Sequence, residues 1–148
     1  VFDTPSKPSK MGGFAVASAA QASELRQWPV QLHLVNPMAP YFQKADLLLA
    51  ADCTAFSMGN FHSEWLKGRT LAIACPKLDH GAEAYINKLA MLIEDAKINT
   101  ITVMMMEVPC CGGLLHMVNE ARQMCYRKVP VKKIVVSIKG EILSEDWV

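Results

Sequence analysis

No apolar run in this chain approaches the length of about twenty residues that a membrane-spanning helix needs. The longest, 45–51 (broken by Asp46) and 101–106, are far shorter. Positive charge is not concentrated either. Lys and Arg are scattered, the net charge is +1, and no basic run marks a nucleic-acid surface. The first ten residues are polar and proline-rich, without the apolar core of a secretory signal. A cytoplasmic protein is therefore expected, with neither nucleic acid nor membrane as partner. Several short motifs are missing too. There is no G-x-S-x-G elbow and no P-loop, and neither Gly12-Gly13 nor Gly112-Gly113 completes G-x-G-x-x-G. Serine hydrolysis loses its usual signature, and a nucleotide cofactor is disfavoured. A disulfide framework is unsupported as well, because the cysteines number five, an odd count, with no sign of secretion. Reduced thiols, a metal or a cluster fit better.

What is present reads as one domain. The 148 residues suffice for a real core, and half of them are hydrophobic. Residues 1–22, with Pro5, Pro8, Gly12 and Gly13, lack periodicity and read as a tail or linker. A single α/β domain is expected over 23–148. Ser23 to Trp28 suggests a helical turn stopped by Pro29. Val30 to Val35 alternates apolar and polar residues and predicts a first strand near an edge. After one helical turn in 39–44, Asp46 to Ala51 predicts a strand that is apolar throughout after its first residue, as parallel strands covered on both faces are. Asn60 to Lys67 predicts a short helix capped by Gly68, and Thr70 to Ala74 the next strand. An amphipathic helix follows, with Ala82, Tyr85, Ile86, Leu89 and Ile93 on one face and Asp79 as N-cap. Thr100 to about Val108 predicts a buried strand, 113–126 a helix and Val131 to Ile138 a fifth strand. The tail 141–148 carries no clear pattern. The expected architecture is a Rossmann-like three-layer sandwich around a mostly parallel sheet of about five strands.

Within this layout the cysteines share a position. Cys53, Cys75 and the pair Cys110-Cys111 each follow a predicted strand. Right-handed crossovers bring such ends to one edge of the sheet, where open α/β folds bind ligands. Four thiolates suit a [4Fe-4S] cubane, or a closed tetrahedral zinc site. Gly112 and Gly113, at a helix N-terminus, would admit backbone N–H groups to an anionic cofactor. Adjacent residues of a regular strand point to opposite faces, so Cys110 and Cys111 converge only if Pro109 turns the chain out of the strand. Cys125 lies on a helix stripe and reads as core. His62 and His116 could approach the edge, but solvent exposure is the simpler account of both; His80 could be a ligand or proton donor, with helix capping by the adjacent Asp79 the simpler account there. Glu107, after an apolar run, either bonds an amide of the cysteine turn or faces solvent. Met104, Met105 and Met106 read as core packing.

Four segments also carry a resemblance: Leu25 to Leu32 (LRQWPVQL), Ala51-Asp52-Cys53, Ala74 to Asp79 (ACPKLD) and Met106 to Cys111 (MEVPCC). Together they resemble the C-terminal domain of an anaerobe 4Fe-4S iron–sulfur-binding protein family, whose members place a two-cluster ferredoxin module ahead of it. The resemblance covers about 23–140 and implies the α/β fold and an anaerobic redox setting. The ferredoxin cysteine run C-x-x-C-x-x-C-x-x-x-C is not in this chain.

The reading from sequence is thus a cysteine-ligated metal or [4Fe-4S] protein acting in electron transfer. Cys53, Cys75, Cys110 and Cys111 are the expected ligands, and a ferredoxin-like redox protein or subunit is the expected partner in an oligomer or complex. Two alternatives stand beside it: a metal-free assembly subunit, and a thiol-redox protein using Cys110 and Cys111. No residue pattern names a reaction.

Overall fold

Three segments of the chain bury every side chain they can. In β1 (Asp46–Ala51) the consecutive residues Leu47, Leu48 and Leu49 are all inaccessible. In β3 (Thr100–Met106) all residues after the first are buried, and β2 (Thr70–Ala74) is nearly so. Consecutive residues of a strand face opposite sides, so both faces of the sheet are covered. The computed structural model, which describes residues 20–148, supplies the cover. After β1 come a helical turn α1 (Thr54–Ser57) and a wider-wound helical segment Phe61–Leu66. α2 (Ala82–Glu94) follows β2, and α3 (Gly112–Met124) follows β3. β4 (Val131–Val136) and β5 (Ile142–Trp147) complete the sheet. Its order is β2-β1-β3-β4-β5, with β5 alone antiparallel.

The chain moves outward from β1 to β2, then crosses back over β1 to reach β3. Direction therefore reverses between β1 and β3. Right-handed crossovers put α2 and α3 on one face, where they pack on each other, and the elements after β1 on the other.

The segment ahead of β1 departs from expectation. Val30 to Val35 forms no strand, only a single parallel bridge from Gln31 to Ile73. Leu32 N donates to Ile73 O and Ile73 N to Val30 O, both at 2.9 Å. The chain then turns, because the Gln31 side-chain oxygen captures His33 N and Lys88 Nζ donates to the carbonyls of Leu32, His33 and Val35. Leu32 and Val35 face inward, whereas Leu34 is exposed. Ser23 to Trp28 is not helical either. Ser23 Oγ accepts from Leu25 N, and the Gln27 amide bonds both backbone groups of Leu71, so a side chain stands in for a strand along the outer edge of β2. Of the tail expected over 1–22, residues 1–19 lie outside the described residues.

The tail 141–148, patternless in sequence, becomes β5. It is held to β4 by backbone pairing, by an ion pair between Lys132 and Glu145, and by Lys132 over the Trp147 ring. The turn into β5 is tightly placed. Gly140 has φ +85, and a Cβ there would fall 2.2 Å from the Ser57 carbonyl oxygen. Gly140→Ala should therefore lower stability by about 3 kcal/mol through strain and collision. Gly59→Ala, in open space, should be near neutral, and urea unfolding of the two variants compares them directly.

Candidate functional site

Each parallel strand ends in a loop that must satisfy the last backbone groups of the ladder, and here polar side chains do much of that work. β1 runs into Asp52 and Cys53. Asp52 N donates to Ala74 O, and Thr54 Oγ1 returns to Ala51 O. β2 runs into Cys75-Pro76. Cys75 N donates to Asp79 Oδ2 at 2.9 Å, Asp79 N to Cys75 O at 2.8 Å, and the Cys75 thiol accepts from Leu78 N. β3 runs through Glu107 and Val108 into a tight helical turn, Pro109–Cys111, which leads directly into α3.

The chain does leave the strand at Pro109, as convergence of the two thiols requires. Cys110 is exposed and Cys111 is buried. Burial pushes the Cys111 thiol above its ordinary value, and the neighbouring thiols of Cys110 and Cys53 push it the same way. A backbone hydrogen bond at Met106 works against them. Three of the four expected thiols thus follow the ends of β1 and β3, the neighbouring strands between which the order reverses. The fourth, Cys75, is engaged with its own loop. Among the described residues no three His, Cys, Asp or Glu side chains stand ready as a metal-ligand set.

The glycines have separate reasons. A Cβ on Gly113 would lie 2.8 Å from Pro76 Cβ, so its bareness lets α3 approach the Cys75 loop. Gly112 faces open space. Glu107 is exposed and accepts from Ile138 N, in the turn after β4, not from the cysteine turn. Cys125 is half-buried, its thiol directed to Ala90 O. His80 and His116 are exposed. His62 is half-buried, with Nδ1 accepting from Glu24 N.

Sequence reading missed an acid network beside the thiols. Asp79 does not cap α2; Gly81, with φ +83, occupies that place. The carboxylate turns inward instead, accepting from Tyr85 OH, Cys75 N and Gln31 Nε2 at one oxygen. Burial raises its pKa, but these bonds and His33 nearby outweigh burial and hold it below the ordinary value. Tyr85 is pushed well up by burial and by Asp79. Asp52 is raised by burial and by Asp79, and its Oδ1 is shielded from solvent without a hydrogen-bond partner. The available signal was the spacing of Cys75, Asp79 and Tyr85, which places a carboxylate between a strand end and the first turn of a helix.

An α/β domain whose polar groups gather at a topological switch point is the class this geometry defines. Residues 39–148 match the Rossmann-like domain family, and the chain belongs to it. An uncharacterized protein of Archaeoglobus fulgidus is 30% identical over 121 residues, covering 80% of this chain and 83% of the relative. No solved structure matches significantly. These findings overturn the resemblance to a ferredoxin-fused 4Fe-4S family, since neither match carries an iron–sulfur description. The segments behind that resemblance are largely strand-to-loop transitions of the sheet edge.

Two outcomes test the site. In metal-free protein at pH 8, iodoacetamide should modify the exposed Cys53 and Cys110 before Cys111, whose raised pKa and burial both slow it; peptide mass mapping against time reads the order. Asp79 contributes stability that is present above its unfolded pKa and lost as pH falls through the lower folded value. Asp79→Asn should cost about 2 kcal/mol at pH 7 and flatten the acid limb below about pH 5, measured by urea midpoints across that range.

Proposed function

We propose that this is an electron-transfer protein whose redox centre, a metal or a [4Fe-4S] cluster, is held by Cys53, Cys110 and Cys111, with Cys75 as the fourth ligand. The observation that carries the reading is that Cys53 and the pair Cys110-Cys111 follow the ends of two neighbouring parallel strands, β1 and β3, at the switch point. Thiol exchange requires a thiolate stabilised by neighbouring positive charge. Here burial and two adjacent thiols act on Cys111 in the opposite direction. A bound cation would reverse that balance, because coordination deprotonates thiols outright. The chain's own residues would shape such a site. Asp79 fixes the Cys75 loop through the Cys75 amide, and Gly113 lets α3 close on Pro76. Cys75 would exchange its contact with Leu78 N for the metal. A bound centre would supply one-electron chemistry, and a ferredoxin-like protein is the matching partner. A cytoplasmic, anaerobic setting suits an edge where Cys53 and Cys110 are open to solvent.

Iron, zinc and acid-labile sulfide, measured on anaerobically purified protein with its visible spectrum, test this. About four irons and four sulfides per chain are expected, lost in both Cys53→Ser and Cys111→Ser. One zinc without sulfide would overturn the redox reading in favour of a structural site. Absence of both metals would overturn the centre itself.

A further inference from the structure

The thiols follow the ends of the parallel strands. At the opposite edge of the sheet, where α3 has run back and the chain enters β4, lies a cavity of about 450 Å³. That volume falls within the range of small-molecule sites, about 300–1,000 Å³. Its wall carries three cationic side chains, Arg122, Arg127 and Lys128, and two amides, Asn119 and Gln123, with no carboxylate. No acidic side chain neutralises any of the three cations; among the described residues the one ion pair joins Lys132 to Glu145. Glu94 accepts from the backbone N–H groups of Tyr126 and Arg127 and is not part of this wall. Each guanidinium group is anchored through a single nitrogen. Arg127 Nη1 donates to Ile98 O at 2.6 Å and to Ile93 O at 3.4 Å, and Arg122 Nη1 donates to Asn119 Oδ1 and Val148 O. Among the described residues, Nε and Nη2 of both have no protein partner, and neither is shielded from solvent. Asn119, its oxygen so used, still offers Nδ2 as a donor. Basic residues are favoured at a helix C-terminus, which accounts for Arg122 in the last turn of α3. It does not account for Arg127 and Lys128, which follow the helix end.

We propose that this cavity binds a small phosphorylated molecule through its phosphoryl group. Three like charges around one cavity repel one another, and a multivalent anion removes that cost. A guanidinium fork anchored through one nitrogen presents its remaining N–H groups in fixed directions, as oxyanion recognition requires. A phosphoryl group fits better than a carboxylate. Its oxygens are arranged tetrahedrally, so donors arriving from α3 and from the loop beyond it can be met together. The inference is independent of any metal at the cysteines.

The probe is inorganic pyrophosphate, titrated into the full chain at constant ionic strength and followed by backbone amide shifts. Saturable shifts at Asn119, Arg122, Lys128 and Val129 are expected. Citrate, of similar charge but with carboxylates only, should bind about tenfold more weakly, as should pyrophosphate to Lys128→Gln. Lys128 is exposed, so that variant should keep the parent's urea midpoint, which separates lost binding from lost folding. Failure of pyrophosphate to saturate overturns the site. Citrate binding as tightly as pyrophosphate overturns the phosphoryl assignment, and this comparison needs no variant to fold. Undiminished binding by Lys128→Gln overturns the joint action of the three cations.

Discussion

The constraint on which everything else depends is that β1 and β3 are paired on both sides and buried on both faces. A strand so enclosed leaves no room for chain in the plane of the sheet. Every connection among the parallel strands must pass over a face, and handedness decides which one. All the C-terminal ends then arrive at a single edge, where the ladder stops and backbone groups still require partners. Asp52 N finds Ala74 O, Cys75 N finds the Asp79 carboxylate, and Glu107 N finds Val136 O. Polar chemistry collects at this edge because the interior of the sheet admits almost none.

That constraint explains which features the sequence disclosed. β1 and β2 were readable to the residue, since a continuous apolar run between polar flanks has few other fates. The positions of Cys53, Cys75 and Cys110 at strand ends followed directly. Val30 to Val35 misled because its alternation was real while its partners were not local. Gln27 reaches Leu71, Gln31 reaches Asp79 and Tyr85, and Lys88 gathers three carbonyls of the turn. Each bond joins residues more than forty positions apart, and no periodicity encodes them. β5 was invisible for a related reason: most of its side chains are exposed, and it is held by backbone pairing and by Lys132. Asp79 reads as a cap in the sequence because its place near a helix start is ordinary. Only the fold shows that Cys75 N and Tyr85 OH compete successfully for its carboxylate.

The edge is divided by strand. The ends of β1 and β3 carry Cys53 and the pair Cys110-Cys111, whereas the end of β2 belongs to the acid network around Asp79. Pro76 and Gly113 are where the two meet, through a contact that a single added carbon would disrupt. The loop that presents Cys75 is therefore fixed twice, by a hydrogen-bonded carboxylate and by close packing against α3. A cysteine held this firmly is poorly suited to sampling many geometries. It is better suited to offering one.

The residues that follow β1 connect these halves. Asp52 and Cys53 are neighbours in sequence, yet the first interacts with Asp79 and the second with Cys111. Negative charge forming on either partner would be felt at the end of β1. Cys111, Asp52 and Asp79 stand in partly desolvated surroundings, where charge is weakly screened. The structure supplies few compensating cations there. Lys88 is spent on backbone carbonyls, and among the described residues His33 is the basic side chain that acts on Asp79. An edge with this surplus of acidic groups is an electrostatic argument for positively charged occupants.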